Sequence, residues 1–245
     1  MVAQGNTSNR TREHRPFDLD AEKHGGYLYT TNKSLSSKIA EDRHTREILS
    51  AYDFSGKSVI DIGCGDASLT IDLYDRTAPS QIKGIDSAAS AIEIGKRRVN
   101  SRNIELSVGS AYDLPFKDQT FDVAHLRGVL HHMDKPDVAV REAARVARDV
   151  VVLEPNGYNL VLKGIEKLSS YHRHHGERSY FARTIDKWMA DAGFSVSSRR
   201  FCGLVPYFCP DIMARTLKMA EPVVEAIPGV RMLTCGVYVA VGRRR

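Results

Sequence analysis

Two glycines and two acidic residues in the first third of the chain have the spacing of a nucleotide-binding loop. The stretch Val59 to Ser68 reads Val-Ile-Asp-Ile-Gly-Cys-Gly-Asp-Ala-Ser, with Gly63 and Gly65 after an apolar run. Glycines at this spacing allow a sharp turn and leave no Cβ between the backbone N–H groups and a ligand. Asp61 stands two residues before the first glycine, where it would repel a pyrophosphate and favour a cationic ligand. Asp86 follows near the offset at which an acidic residue binds ribose hydroxyls.

The pattern around these residues predicts alternating strands and helices. Apolar runs with β-branched residues predict strands at 57–62, 81–85, 104–108, 121–126, 150–153, 194–200 and 235–241. Amphipathic stretches predict helices at 36–51, 88–100, 159–168, 181–192 and 211–220. Asp134 and Pro136 indicate the start of a further helix, and Gly193 the end of another. This alternation implies an α/β protein with a parallel sheet and right-handed crossovers.

Composition and charge limit the function classes. The net charge is +5, but Arg10, Arg12 and Arg15 against Glu13 leave +2 in the first sixteen residues, and the last three are all arginine. The body of the chain is therefore formally neutral, which disfavours nucleic acid as a partner. The four cysteines show no C-x-x-C pattern, as expected of reduced thiols, and no apolar run reaches eighteen residues. We expect a soluble cytoplasmic protein without an integral membrane segment.

The chain divides into one polar arm and one domain. Residues 1–16 lack an apolar period and predict a disordered arm, whereas 17–245 predict a single domain. Within it, 17–52 predict an N-terminal lid and helix. Two less regular stretches, 157–180 and 201–233, predict caps over the strand ends. The apolar residues of 201–233 fit a sheet cover or a dimer face better than a lipid-like acceptor or a membrane surface.

Four ordered blocks carry a resemblance to a known family, and one of them is Phe121-Asp122-Val123 at the start of the fourth strand. The first glycine block resembles the (D/E)-x-G-x-G-x-G motif of class I S-adenosylmethionine-dependent methyltransferases, with Ala67 at the third glycine. Residues 109–116 resemble the G-D-A-x-x-L-P-F loop beside the adenine, with Ser110 replacing the aspartate, and residues 130–136 resemble the L-H-H-x-x-D-P loop of small-molecule members similar to methyltransferase type 11. The resemblance implies a Rossmann-like, doubly wound, seven-stranded and mostly parallel sheet with the last strand antiparallel. It also implies S-adenosylmethionine as the methyl donor.

The resemblance assigns residues to the cofactor. We expect cofactor contacts from Asp61, Gly63, Cys64, Gly65, Asp86, Ser87, Ser110, Ala111, Tyr112 and Arg127. A serine at position 110 can still bond the adenine amino group, although as a neutral acceptor it should do so more weakly than aspartate.

Two histidines and one glutamate are the candidate catalytic residues. Methyl transfer to a hydroxyl requires a base for the hydroxyl proton, and histidine has a suitable pKa near neutrality. In the sugar O-methyltransferases that this sequence resembles, a histidine of the L-H-H loop acts with a carboxylate at the end of strand five. The matching residues are His131 or His132 with Glu154, where Glu154 orients the base or contacts the acceptor. The alternative is that both histidines only pack and cap the loop.

The sequence patterns that indicate acceptor-binding residues are less specific than those for the cofactor. We expect acceptor contacts from Tyr27, Tyr29, Asn156, Tyr171, His174 and His175. A second interpretation of the 17–32 stretch is an ordinary surface loop. Adjacent histidines in a basic run are poorly arranged to converge on one ion, so we expect no metal site.

The sequence favours O-methylation of a small molecule, at a hydroxyl of a sugar or natural product. Two alternatives stay open: N- or C-methylation of a lipid, quinone or secondary metabolite, and cofactor binding without catalysis. Nucleic-acid methylation is disfavoured further because Glu154-Pro155-Asn156 is not the (D/N)-P-P-(Y/F) motif of base methylases. A homodimer stays open as well.

Overall fold

Seven strands form one mixed sheet in the computed structural model, which describes Gly26 and residues 28–168 and 178–244. The strands are β1 Ser58–Ile62, β2 Gln81–Asp86, β3 Ile104–Val108, β4 Phe121–Arg127, β5 Ala147–Pro155, β6 Phe194–Cys202 and β7 Val237–Arg244. Their order is β3-β2-β1-β4-β5-β7-β6, and β7 runs antiparallel to both of its neighbours. The other pairings are parallel. The predicted fold, including the antiparallel last strand, is confirmed.

Helices cover both faces of the sheet. They are α1 Leu28–Thr31, α2 Leu35–Ala51, α3 Ser68–Thr77, α4 Ala89–Arg98, α5 Pro136–Val146, α6 Leu160–Leu168, α7 Ala182–Asp191, α8 Asp211–Ala226 and α9 Pro228–Thr234. One apolar cluster joins the sheet to α5 and α7, and a second joins its other face to α2, α3 and α4. The strands are apolar on both faces for this reason, as in other sheets that are covered on two sides.

The strand order indicates which edge of the sheet would bind a ligand. Going outward from the β1–β4 boundary, the chain runs to β2 and β3 on one side and to β5 on the other. Open α/β sheets bind ligands beyond the carboxyl ends of the strands at such a switch point. The glycine loop follows β1, Asp86 ends β2, and the histidine loop follows β4 as a 3₁₀ turn, Leu130–His132.

Several predicted boundaries are corrected by the structure. Lys135 rather than Asp134 is the N-cap of α5, and no side chain bonds the first turn, although Pro136 does open the helix. Strand β7 begins two residues later than predicted and runs to Arg244. Gly193, with φ of 93°, does end α7.

Helix α8 differs most from the prediction, because it continues past Pro222 to Ala226. Two inward glutamates hold this part: Glu221 Oε2 accepts from the Leu204 N–H at 3.1 Å and Glu225 Oε1 from the Gly203 N–H at 2.9 Å. Arg43 of α2 pairs with both carboxylates. Apolar side chains such as Ile212 and Met219 instead face outward, each more than 80% exposed. The ion pairs thus outweigh the helix-breaking effect of Pro222. In this helix charged side chains face inward and apolar ones face solvent, which is the reverse of the usual amphipathic pattern.

Two further findings concern the whole described chain. None of its helices combines the length and the apolar character needed to cross a membrane. The four cysteines are free thiols, and three of them are buried.

Candidate active site

The glycine loop after β1 is a tight turn with three left-handed residues. Gly63, Gly65 and Ala67 have φ of 80°, 54° and 61°. The N–H groups of Gly63 and Cys64 donate to the carbonyl of Ile85, at 2.7 and 3.2 Å, which joins the turn to β2. Glycine is required at position 63 by close packing as well as by its φ, because a Cβ there would lie 2.2 Å from Cγ2 of Val129.

Asp86 lies beside this turn at the end of β2. Its Oδ2 accepts from the Gly65 N–H at 2.8 Å and its Oδ1 from the Ala88 N–H at 2.9 Å. Burial raises the pKa of Asp86, while the N–H bonds from Ala88, Gly65 and Ser87 act in the opposite direction. Asp86 remains partly exposed at the sheet edge. A carboxylate held in this way next to a glycine turn fits the ribose of a nucleoside cofactor.

Both carboxylate oxygens of Asp61 contact other side chains inside the protein. Its Oδ1 lies 2.9 Å from Nδ1 of His125, and its Oδ2 accepts from the Thr70 hydroxyl at 2.6 Å. The residue is 3% exposed. Its carboxylate therefore connects β1, β4 and α3. Each oxygen of the carboxylate already has a partner. Asp61 would therefore act on a cationic ligand through its charge at a distance and not through a direct hydrogen bond.

The predicted adenine loop is ordered by its own polar groups. Ser110 Oγ accepts from the Tyr112 N–H at 3.2 Å, and Ser110 forms an antiparallel bridge with Asp113. The Tyr112 hydroxyl accepts from the Lys135 N–H at 3.3 Å, so this loop contacts the end of the histidine loop. Ala111 is half-buried against the core.

Three other predicted cofactor residues differ in burial and in their contacts. Arg127 donates to the Thr45 hydroxyl and pairs with Glu41, both at 3.0 Å, so it fastens β4 to α2. Cys64 is buried, and burial raises the pKa of its thiol. Ser87 is exposed at the sheet edge.

His131 and Glu154 form the central contact of the histidine loop. Nδ1 of His131 lies 2.7 Å from Oε2 of Glu154, whose side chain is fully buried. The same carboxylate accepts from three backbone N–H groups: Val129 and Leu130 at 2.8 Å, and His131 at 3.2 Å. Glu154 thereby fixes both the loop backbone and the imidazole ring. Because the glutamate is buried, orientation of the His131 ring fits it better than acceptor contact does.

The ring of His132 lies against that of His131, with centroids 3.8 Å apart. Tyr180 lies close enough for the charges of Glu154 and Asp134 to act on it, and its own burial is the main reason that its pKa is raised. Its ring packs edge to face on Trp188 at 4.8 Å. Tyr180 is therefore an aromatic neighbour of the loop that the sequence analysis did not identify.

The predicted acceptor residues are mostly outside the described part of the chain. Tyr27, Tyr171, His174 and His175 lie there, as does the side chain of Tyr29. Asn156 is fully buried. Its amide donates to the carbonyls of Met232 and Cys235 at 2.8 and 2.9 Å, so it ties the end of β5 to the chain entering β7. Asn156 thus has a structural role, and its contact with the acceptor stays a prediction.

Sequence reasoning also missed Asp66 in the middle of the glycine turn. It occupies a variable position of the motif, so the pattern gives no signal for it. Its carboxylate is 1% exposed and pairs with Arg98 at 2.7 Å. No group of metal-ligating side chains occurs in the described ranges.

Comparisons with known proteins agree with this geometry. The family model described as Methyltransferase domain matches residues 60–158. The chain is 32% identical to the O-methyltransferase resE of Aspergillus sclerotiorum over 51% of this chain and 49% of that protein. It is 27% identical to demethylmenaquinone methyltransferase of Staphylococcus aureus over 64% of this chain and 62% of that protein. It spans about half the length of the first curated relatives that it matches.

Solved structures share the fold at lower identity. An S-adenosylmethionine-dependent methyltransferase of Thermotoga maritima superposes with a TM-score of 0.71 at 18% identity, covering 96% of this chain and all of that one. The matched residues 60–158 hold the glycine turn, Asp86 and the His131–Glu154 pair. Residues 60–158 therefore resemble a methyltransferase domain, and the seven-stranded sheet has the fold of this solved methyltransferase structure.

Proposed function

We propose that this chain transfers the methyl group of S-adenosylmethionine to a hydroxyl of a small molecule, a sugar or another natural product. When bound, the cofactor supplies an electrophilic methyl group. Asp86, with the glycine turn and the 110–112 loop, would hold its nucleoside. The protein must then place the acceptor oxygen in line with the methyl carbon and remove the hydroxyl proton.

The observation that carries the proposal is the bond between His131 Nδ1 and Glu154. A neutral imidazole that donates its Nδ1 proton to a carboxylate has Nε2 as its basic nitrogen. The buried carboxylate holds this tautomer and stabilises the ring after it takes up a proton. His131 is then the general base for the acceptor hydroxyl, and Glu154 is its positioning residue. His132 packs against the base and supports its ring.

The relatives support the proposal to different degrees. One is named an O-methyltransferase, and its identity to this chain is 32%. Another is named a demethylmenaquinone methyltransferase, which supports methylation of a quinone as the second candidate. A quinone would have to bind as its reduced quinol, whose phenolic proton the same base would remove as it would the proton of a sugar hydroxyl.

The test separates chemistry from cofactor binding. We would measure transfer of labelled methyl groups to a panel of sugars, phenols and quinols with the wild type, His131→Ala and His132→Ala. We expect His131→Ala to lower turnover by at least about 100-fold with unchanged affinity for S-adenosylhomocysteine, because a positioned base contributes about 10²- to 10⁴-fold. His132→Ala is the matched control and should cost less. A loss below tenfold in both variants, with cofactor affinity intact, would eliminate the base assignment.

A further inference from the structure

Asp66 is a buried carboxylate in the middle of the glycine turn, with partners from three parts of the chain. Its Oδ1 accepts from the Ser68 N–H at 3.1 Å. Its Oδ2 accepts from Arg98 Nη1 at 2.7 Å and from the Thr30 hydroxyl at 2.8 Å. Arg98 Nη1 also lies 2.7 Å from Ser68 Oγ. Asp66 thus connects the turn to α4 and to an N-terminal strap, defined here as Gly26 and α1.

A second observation places this strap on the turn. Gly26 has φ of 145°, and a Cβ at this position would lie 2.3 Å from Oδ2 of Asp66 and 2.9 Å from Cγ2 of Thr31. The backbone therefore passes directly against the carboxylate, and only glycine fits there. Thr30 also lines a cleft of about 260 Å³ together with Thr45, Ser68 and Leu69, so the strap forms one wall beside the start of α3.

We infer that Asp66 is a positioning residue of the cofactor site: it docks the N-terminal strap onto the glycine turn, so that strap docking and cofactor binding stabilise each other. Asp66 lies between Gly65 and Ala67, both of which have positive φ. A side chain anchored to the strap, to Arg98 and to the Ser68 N–H holds this turn in one conformation. A turn that is already ordered loses less entropy when a ligand binds against it.

The arrangement also allows the strap to be released. When the Thr30 hydroxyl leaves Asp66, Arg98 still pairs with the carboxylate at 2.7 Å. Release therefore does not leave a buried charge without a partner, which would be strongly unfavourable. The hydroxyl bond shifts the balance between a docked and an undocked strap, and a ligand that prefers the docked form shifts it further.

The inference rests on the cofactor site at the glycine turn and is independent of the acceptor and of His131. Binding and release of S-adenosylhomocysteine would be measured by calorimetry and stopped flow for the wild type, Thr30→Val and Thr30→Ser. Valine keeps the shape of threonine but removes the donor, and serine keeps the donor. We expect Thr30→Val to weaken binding about fivefold through faster release, because one hydrogen bond to a charged partner is lost. Thr30→Ser should stay within about twofold of the wild type.

Hydrogen exchange provides a readout that a purely structural role would not change. In the wild type and in Thr30→Ser, the ligand should slow amide exchange at 28–34, whereas in Thr30→Val this effect should be lost. Gly26→Ala acts on the same contact from the other side and should not add its full effect to that of Thr30→Val.

Equal affinity, release rate and exchange in Thr30→Val and the wild type would overturn the inference. Equal losses in the valine and serine variants would do so too, because the hydroxyl would then not be the cause. Failure of the wild type to bind the ligand would contradict the cofactor assignment itself and is recognisable as such.

Discussion

Two histidine–carboxylate pairs lie along β4, and they differ in depth. His125 and Asp61 meet at 2.9 Å within the sheet, where both side chains are at most 5% exposed. His131 and Glu154 meet at 2.7 Å just beyond the strand end, where the imidazole is 11% exposed. The chemical groups are alike, so the difference in their surroundings determines what each pair can do.

The deeper pair is built as a structural contact. The second oxygen of Asp61 accepts from Thr70, and Phe54 meets the His125 ring edge to face at 6.0 Å. Within the described residues, Nε2 of His125 has no hydrogen-bond partner. A ring enclosed in this way has no route to a substrate proton. The outer pair instead uses its carboxylate to organise a loop and keeps its imidazole at the ligand-binding edge. The same substitution at both histidines therefore separates structure from catalysis.

The largest effect is expected from His131→Asn. Asparagine removes the base, while Glu154 retains three backbone donors, so the loop should keep its conformation. Turnover should fall about 100- to 1,000-fold, and the free energy of unfolding should change by less than about 1 kcal/mol. Steady-state methyl transfer and urea unfolding of the same preparation would measure both.

The matched substitution His125→Asn should give the opposite pattern. It leaves the buried Asp61 without its ring partner and opens a void beside Phe54, so the free energy of unfolding should fall by about 3 kcal/mol. Turnover per folded molecule should stay within a few-fold of the wild type. Unchanged stability with a turnover loss like that of His131→Asn would contradict the distinction between the pairs.

Asp86 extends the comparison of the two pairs, because this strand-end carboxylate accepts from backbone N–H groups instead of a histidine. Asp86→Asn removes the charge that accepts a ribose diol most strongly, so the dissociation constant for S-adenosylhomocysteine should rise about 10- to 100-fold. The control is Asp53→Asn, which changes an exposed aspartate before β1. Calorimetry would compare the two, and similar affinities for both variants would refute the ribose assignment.

His44 is the complementary case, a buried histidine whose ring lies beside a tyrosine hydroxyl instead of a carboxylate. Burial, with the charges of Arg127 and Arg43, lowers its pKa from 6.5 to about 3, and its Nδ1 lies 3.2 Å from the Tyr207 hydroxyl. Between these pH values the unfolded chain takes up a proton that the folded chain does not. His44 therefore does not lower the free energy of unfolding above pH 6.5. It lowers that free energy progressively as the pH falls from 6.5 toward 3.

The slope of stability against pH tests this assignment. As the pH falls below 6.5, His44 should lower the free energy of unfolding by up to about 1.4 kcal/mol per pH unit. Urea unfolding at pH 7 and pH 5 should show a larger loss for the wild type than for His44→Asn. Parallel losses in the two proteins would mean that His44 is not the group involved.

The sequence predicted best where one local pattern corresponds to one structure. The glycine turn, Asp86 and the strands followed from short apolar runs and fixed spacings, and they needed no knowledge of distant contacts. The L-H-H loop and Glu154 were linked by resemblance alone, since twenty-three residues separate them. The structure brings them to 2.7 Å because β4 and β5 pair in parallel.

The misses share one cause, which is a partner far away in the sequence. The sequence carried no sign that the Asn156 amide would donate to the carbonyls of Met232 and Cys235. The helix predicted at 211–220 continues to Ala226, where Glu221 and Glu225 accept from the N–H groups of residues 204 and 203. Asp66 gave no signal because its side-chain partners, Thr30 and Arg98, lie more than thirty residues away on either side.

The most direct test of the account is methyl transfer by His131→Asn and His125→Asn on one acceptor found with the wild type, together with their unfolding curves. We expect the first variant to fold normally, to bind S-adenosylhomocysteine and to lose turnover by about 100-fold or more. We expect the second to lose stability and to keep its turnover. Turnover above one tenth of the wild-type value in His131→Asn would contradict the assignment of the strand-end pair as the catalytic base.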